Sequence, residues 1–256
     1  MNLASGLRAS LVALCCLLAS WPLAAQGQSA APKGWACPPC DLPCDAVVHD
    51  KAGVCHGCGM ALVQAPKKVA ILIFDGVEII DYTGPYEMFG AAGFQVFTVA
   101  ATRHPVKTAM GMVVVPAYTF ADAPRADVLV IPGGGVNVAS AHADTLRYIK
   151  DTAAQAQHTL SVCNGAFILA QTGLLDGLTA TTTRGNLQGL AKRHPKVKVV
   201  GDRRYVDNGK IITAAGLSAG IDGALHVIER LMGAEAATQV ATYEEYAWKA
   251  GSEPGR

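Results

Sequence analysis

The chain has 256 residues with nearly balanced charge, 21 Lys and Arg against 20 Asp and Glu, for a net charge of +1. Apolar residues make up 51% and charged residues 16%, against about 25% charged in an ordinary soluble domain. This excludes a disordered chain, which needs low hydrophobicity and high net charge, and a nucleic-acid binder relying on bulk basic charge.

Residues 1–25 read as an export signal. Arg8 supplies the positive start, residues 11–19 form an apolar run that ends at Ser20, and Ala24 and Ala25 offer a small-residue cleavage site before Gln26. The run is short for a membrane span of about 20 residues; an uncleaved N-terminal anchor is the alternative. Cys15 and Cys16 lie inside the run, without the small residues a lipobox places before its cysteine. A periplasmic or secreted bacterial protein is expected, with no membrane span once the signal is removed. Three basic and three acidic residues precede residue 67, which leaves 18 and 17 beyond it. No strongly charged partner is implied for either part.

Residues 35–63 hold five of the eight cysteines. Two CxxC hooks, Cys37/Cys40 and Cys55/Cys58, are separated by fourteen residues. Hooks at that distance can bring four thiolates around one tetrahedral Zn²⁺ in a small zinc-ribbon-like module. Gly59 follows the second hook and lets the chain turn so that backbone N–H groups face the sulfurs. Cys44 is an alternative ligand, and His49 or His56 can substitute. The competing reading is a disulfide knot, natural in an oxidising compartment, but the hooks and the glycine favour a structural zinc site. The segment resembles short metal-binding modules ending in CxxCGM that precede other domains in exported bacterial proteins.

From residue 67 to 250 the pattern changes. Residues 68–74, 94–100, 127–132 and 158–162 are near-continuous apolar runs rich in β-branched residues, the mark of parallel strands buried on both faces. Helical stretches at 85–92, 136–156 and 166–173 alternate with them. The fold class is therefore α/β, a doubly wound, mostly parallel sheet with helices on both faces. Residues 197–200 read as a further strand, 203–216 as a hairpin through Asn208 and Gly209, and 217–250 as helical. In such sheets chemistry sits at the carboxyl ends of the strands. Cys163, in SVCNGAF, lies between a buried strand and a helix, with Gly165 permitting a close turn. A helix N-terminus there favours thiolate and offers N–H groups for an oxyanion hole.

The segments FDGVEIIDYTGPYEMF, ADAPRADVLVIPGGG, SVCNGAFILAQTGLLDG and TAAGLSAGIDGALHVIERL, in this order, make the domain similar to the ThiJ/PfpI superfamily. That resemblance implies a flavodoxin-like, class I glutamine amidotransferase-like fold and a homodimer, with the isocyanide hydratases and the amidase-like domain of AraC-type regulators as nearest branches. An exported chain is not expected to be a transcription factor. The resemblance implies Cys163 as nucleophile, Asp81 as an acid touching the sulfur, and the N–H groups of Gly134 and Asn164 as the oxyanion hole. Glu78, Thr183 and Arg184 are candidate substrate contacts. Two residues depart from the pattern: Thr183 stands where many members carry His, and Asn164 where hydratases often carry Thr. Without a Cys–His pair, peptidase and glyoxalase chemistry is disfavoured, and a Cys–Asp site closest to the hydratases remains. The expected function is a cysteine-dependent hydratase or amidohydrolase acting on a small electrophile (isocyanide, amide, nitrile or reactive carbonyl), with no cofactor in the α/β domain. The alternative is a non-catalytic redox- or metal-stress sensor using an oxidisable Cys163 and the metal module.

Overall fold

Strand formation in this chain follows apolar continuity, and the computed structural model describes residues 34–251 except 39 and 249. The expected export signal, residues 1–25, lies outside the described residues. The cysteine-rich segment forms a small antiparallel sheet in which β1 (Trp35–Ala36) lies between β2 (Val48–His49) and β3 (Val63–Gln64). Its core is its own: Cys37, Cys55 and Leu62 are buried, with Trp35 and Met60 packed against them.

The rest of the chain runs through β4 (Lys68–Leu72), α1 (Ile79–Ala91), β5 (Gln95–Ala100), β6 (Val106–Lys107), β7 (Val113–Val114), β8 (Tyr118–Thr119), β9 (Val128–Ile131), α2 (Val136–Ala141) and α3 (Ala143–Gln155). It continues with β10 (His158–Val162), α4 (Gly165–Gln171), β11 (Thr179–Ala180), α5 (Leu187–Arg193), β12 (Lys198–Val199), β13 (Tyr205–Asp207), β14 (Ile211–Ala214), α6 (Ala219–Met232) and α7 (Ala234–Tyr243). Seven strands form one sheet in the order β13-β14-β10-β9-β4-β5-β8, parallel throughout except for β13. Helices α1, α6 and α7 pack together on one face, and α2, α3 and α4 on the other. The central strands are covered on both sides, which is why their sequences are apolar without alternation: every residue of β9 and β10 is buried. The expected doubly wound α/β class is what the chain adopts. Among the described residues no helix is long and apolar enough to cross a membrane.

Strand order reverses between β4 and β9, so the crevice at their carboxyl ends is the topological switch point. The segments entering it are residues 73–78, the glycines 133–135, and Cys163 at the end of β10.

Three helical boundaries differ from the sequence expectation. Helix α1 starts at Ile79 rather than at residue 85, and Pro85 sits inside it. Burial of Tyr82, Pro85, Met88 and Phe89 along one face outweighs the proline's preference for a first turn. The 136–156 stretch breaks at His142, whose extended backbone ends α2 and starts α3. The C-terminal stretch breaks at Gly233 into α6 and α7. The strand at residues 198–199 is β12, which pairs with β11 outside the main sheet.

Candidate active site

Cys163 occupies a strained position. Its φ is +56°, in the left-handed region that a side chain rarely adopts. The strain is held from three sides. Its N–H donates to Ala215 O at 2.8 Å, its carbonyl accepts the Thr182 hydroxyl at 2.7 Å, and helix α4 begins at Gly165. A Cβ at Gly165 would lie 2.0 Å from Ile131 O, so only glycine allows α4 to start this close to β9. The predicted strand–nucleophile–helix elbow is therefore present, and backbone contacts fix it.

Asp81, in the first turn of α1, is fully buried beneath the elbow. Its Oδ2 accepts the Gly133 N–H at 3.0 Å. Oδ1 is buried without a hydrogen-bond partner of good geometry; the Cys163 thiol and the Leu217 N–H are the groups near enough to stabilise charge on the carboxyl. Burial pushes the Asp81 carboxyl up to about 7 against these contacts, and the nearby Glu78 charge adds to the rise. Burial, and then the Asp81 charge, push the Cys163 thiol up to about 12, opposed by the N–H groups of Asn164 and Leu217. The sequence expectation that the helix N-terminus favours thiolate is thus met only in part. The donors are there, but burial and Asp81 outweigh them. A neutral thiol beside a carboxyl that titrates near neutrality is an arrangement for moving one proton between them.

Gly134 and Asn164, the predicted oxyanion donors, line a common recess beside the elbow. Gly134 has φ +107°, and a Cβ there would lie 2.2 Å from Gly76 O, because residues 76–78 and 133–135 cross at the switch point. Glu78 supports that crossing: its N–H donates to Gly133 O at 3.0 Å, so its backbone positions the site while its charge acts on Asp81. Thr183 and Arg184 lie across the elbow, lining a second recess of about 240 Å³ with Arg204 and Leu217; Arg184 is exposed. None of the domain's histidines bonds to Cys163 or lines either recess. His158 meets Gly209 O, His226 lies between Asp207 and Glu229, and His194 packs on Phe167. His104 and His142 line a separate recess beyond the carboxyl ends of β4 and β5.

Sequence reasoning missed Thr182, Leu217 and Asn186. Leu217 also has φ +56°, and this strained turn is what aims its N–H at Cys163 and Asp81. Asn186 donates Nδ2–H to Asn164 Oδ1 at 2.6 Å. The loop holding Thr182 and Asn186 also carries the expected Thr183 and Arg184, but nothing in a run of threonines says which hydroxyl turns toward the elbow.

In the N-terminal module the sulfurs of Cys37, Cys40, Cys44 and Cys58 all lie within 4.8 Å of one another. Close pairs are Cys37–Cys58 at 3.0 Å, Cys40–Cys44 at 3.5 Å and Cys37–Cys40 at 3.8 Å. A tetrahedron of sulfurs about 2.3 Å from a zinc ion has edges of about 3.8 Å, so the donor set fits a thiolate-bound metal. Its membership differs from the expected Cys37, Cys40, Cys55 and Cys58. The 3-10 turn Pro43–Ala46 swings Cys44, the expected alternative ligand, back onto Cys40, while Cys55 is buried alongside with its thiol in contact with Cys37, Cys44 and Cys58. The Cys58 thiol is lowered to about 7 by hydrogen bonds from Cys37 and the Met60 N–H, whereas Cys37 is raised, chiefly through that same Cys58 contact.

Comparison with known proteins agrees with this geometry. Isonitrile hydratase of Pseudomonas putida is 36% identical over 186 residues, covering 70% of this chain and 78% of that protein. The Parkinson disease protein 7 homolog of Danio rerio is 29% identical over 185 residues, 69% of this chain and 96% of that one. Among solved structures, a ThiJ/PfpI family protein from Pseudomonas syringae superposes with a TM-score of 0.66 at 33% identity, covering 74% of this chain and 82% of that one. Drosophila melanogaster DJ-1beta superposes with a TM-score of 0.65 at 21% identity, over 72% of this chain and 100% of that one, a likeness of fold. With residues 67–230 matching the family model described as DJ-1/PfpI, the chain belongs to the DJ-1/PfpI family.

Proposed function

We propose that the α/β domain is a cysteine-dependent hydratase that adds water to a small isocyanide, with Cys163 as nucleophile and Asp81 as proton carrier. The observation that carries this reading is the pairing of a strained, buried thiol with a buried carboxyl whose Oδ1 lacks a fixed partner. The similarity to isonitrile hydratase supports the substrate class.

In the first half-reaction the Asp81 carboxylate takes the thiol proton while sulfur attacks the terminal carbon of R–N≡C. Asp81 returns the proton to that carbon, leaving the thioimidate R–N=CH–S. In the second, Asp81 takes a proton from water as its oxygen adds to the same carbon, and passes it to nitrogen. The C–S bond then breaks, the hydroxyl proton returns to sulfur, and the formamide R–NH–CHO leaves. The N–H groups of Gly134 and Asn164 would stabilise the charge that develops next to sulfur, and Thr182 and Leu217 would hold the elbow. No metal is needed in this cycle. Four of the five thiols of the N-terminal module would hold a structural zinc ion, and the export signal would place the enzyme in the periplasm or outside the cell, as a homodimer.

The test is formation of the formamide from an alkyl isocyanide by the purified protein, followed by the formyl proton in NMR. Wild type should turn over and Cys163→Ala should not. Equal turnover by both would refute the assignment. Selective addition of two oxygens to Cys163 by mild peroxide, with no turnover of any isocyanide, would favour the sensing role instead.

A further inference from the structure

The recess shared by Gly134 and Asn164 has a volume of about 320 Å³. It is small for a ligand pocket, enough for a few heavy atoms beyond the reacting group. Its floor is Phe167, one turn along α4 from Asn164, and its apolar wall includes Val136 and Val138. No acidic side chain lines it.

At its rim lies Arg193, in the last turn of α5, with the guanidinium carbon 4.9 Å from the centre of the Phe167 ring. Four arginines of the domain are paired, Arg103 with Asp122, Arg147 with Asp144, Arg204 with Asp222 and Arg230 with Asp207, whereas Arg125 bonds the Gln155 carbonyl and Arg184 lines the other recess. Among the described residues Arg193 makes no ion pair. Its contact is the ring, which orients a guanidinium without using its N–H donors. Between the elbow and Arg193, the Asn186 to Asn164 hydrogen bond fixes both amides at 2.6 Å. Both N–H groups of the Asn164 amide, one of Asn186 and the Asn186 Oδ1 remain for a ligand.

We infer that this recess is the specificity pocket and that it selects an isocyanide bearing a carboxylate, which Arg193 binds at the far end while the reacting carbon lies at Cys163. This rests on the hydratase reading for the reaction, but the anion selectivity stands on the recess alone. A single planar guanidinium matches a carboxylate through two parallel N–H donors. The uncharged middle of the substrate would lie along Phe167 and Val138, between the two amides.

The probes are isocyanoacetate and its methyl ester, which differ at the distal end by the charge and one methyl group, so that the Arg193 variants separate charge from size. Hydration would give N-formylglycine and its methyl ester. Wild type should prefer the acid by about tenfold in kcat/KM, the size of one charge-assisted contact, expressed mainly in KM. Arg193→Met should cut kcat/KM for the acid about tenfold more than for the ester, and Arg193→Lys should restore part of the preference. Equal use of both probes by wild type, or a preference that survives in Arg193→Met, overturns the assignment. Should neither probe be turned over, the hydratase reading falls, and binding to the Cys163→Ala protein decides the pocket by itself. Tighter binding of N-formylglycine than of its ester, lost on adding Arg193→Met, upholds it; equal binding refutes it.

Discussion

Asp81 Oδ2 accepts the Gly133 N–H at 3.0 Å, and nothing equivalent reaches Oδ1, although the residue is fully buried. One oxygen is thus held as an acceptor while the other has no fixed partner, beside the Cys163 thiol that the carboxyl contacts, which suits a carboxyl that gains and loses a proton during turnover. Its rise from 3.8 to about 7, caused mainly by burial, fixes the sign of its pH dependence. Between those values the folded protein holds a proton that the unfolded chain has released, so this residue's contribution to stability declines as pH rises from about 4 to about 7. The decline is at most about 4 kcal/mol for a shift of this size. Denaturation of wild type and Asp81→Asn at pH 4.5, 6 and 8 should show the wild type losing stability relative to the variant across that range. Parallel curves would contradict the burial argument. In the same series, kcat/KM of wild type should rise through about pH 7, and Asp81→Asn should lose that limb with a fall in activity of at least about 100-fold.

Thr182 should act as a positioning residue. Its hydroxyl donates to the carbonyl of Cys163, whose backbone is already in a strained conformation. Thr182→Val keeps the shape and leaves that buried carbonyl with only the long 3.5 Å bond from the Ala166 N–H, for a loss of about 1–2 kcal/mol. Because the same bond sets where the sulfur points, kcat should fall about tenfold with little change in KM, and Thr182→Ser should restore most of it. A variant with wild-type kcat would show that the elbow is held by the strand and α4 alone.

The Arg204–Asp222 pair supports the turn that carries the Leu217 N–H. Asp222 is buried, and its Oδ2 also accepts the Tyr246 hydroxyl at 3.2 Å. Arg204 reaches Ser218 Oγ at 3.3 Å, and its carbonyl accepts the Ala215 N–H at 2.7 Å. Removing the carboxylate leaves a guanidinium with only partial access to water, so Asp222→Ala should destabilise the protein by about 2–4 kcal/mol, somewhat below a fully buried pair. Tyr246→Phe should cost about 1 kcal/mol. Thermal melts of the two variants measure the order; equal losses would place the effect in packing.

The parallel sheet was legible because burial on both faces leaves an unbroken apolar run, as in β9 and β10. Cys163 was legible because a strand, a cysteine and a helix adjoin in sequence. What could not be read depends on contacts across the fold. Pro85 suggested a helix start, yet buried Tyr82, Met88 and Phe89 carry α1 back to Ile79. Leu217 supplies a backbone donor, and any residue tolerating φ +56° can do so, so its side chain announces nothing. What opposes the helix end at the thiol could not be read for the same reason. The helix end is visible in the sequence, but burial of the sulfur, and then the Asp81 charge beside it, raise the thiol more than the Asn164 N–H lowers it.

The cysteine module offers a test of ligand choice, because spacing and geometry name different fourth ligands. The two-hook pattern selects Cys55, whereas the sulfurs that lie mutually close belong to Cys37, Cys40, Cys44 and Cys58. A metal bound by four thiolates stabilises the folded module by its binding free energy, so the better ligand is the one whose loss lowers affinity more. Cys44→Ser should release Zn²⁺ to a competing chelator at much lower chelator concentration than Cys55→Ser, and Co²⁺ loading should give tetrahedral thiolate spectra in the Cys55 variant. The module has its own small core, separate from the core of the α/β domain. Metal removal should therefore abolish the module's own transition and leave the main melting transition in place. If Cys55→Ser proves the more damaging change, the hooks, and not the turn that carries Cys44, set the coordination.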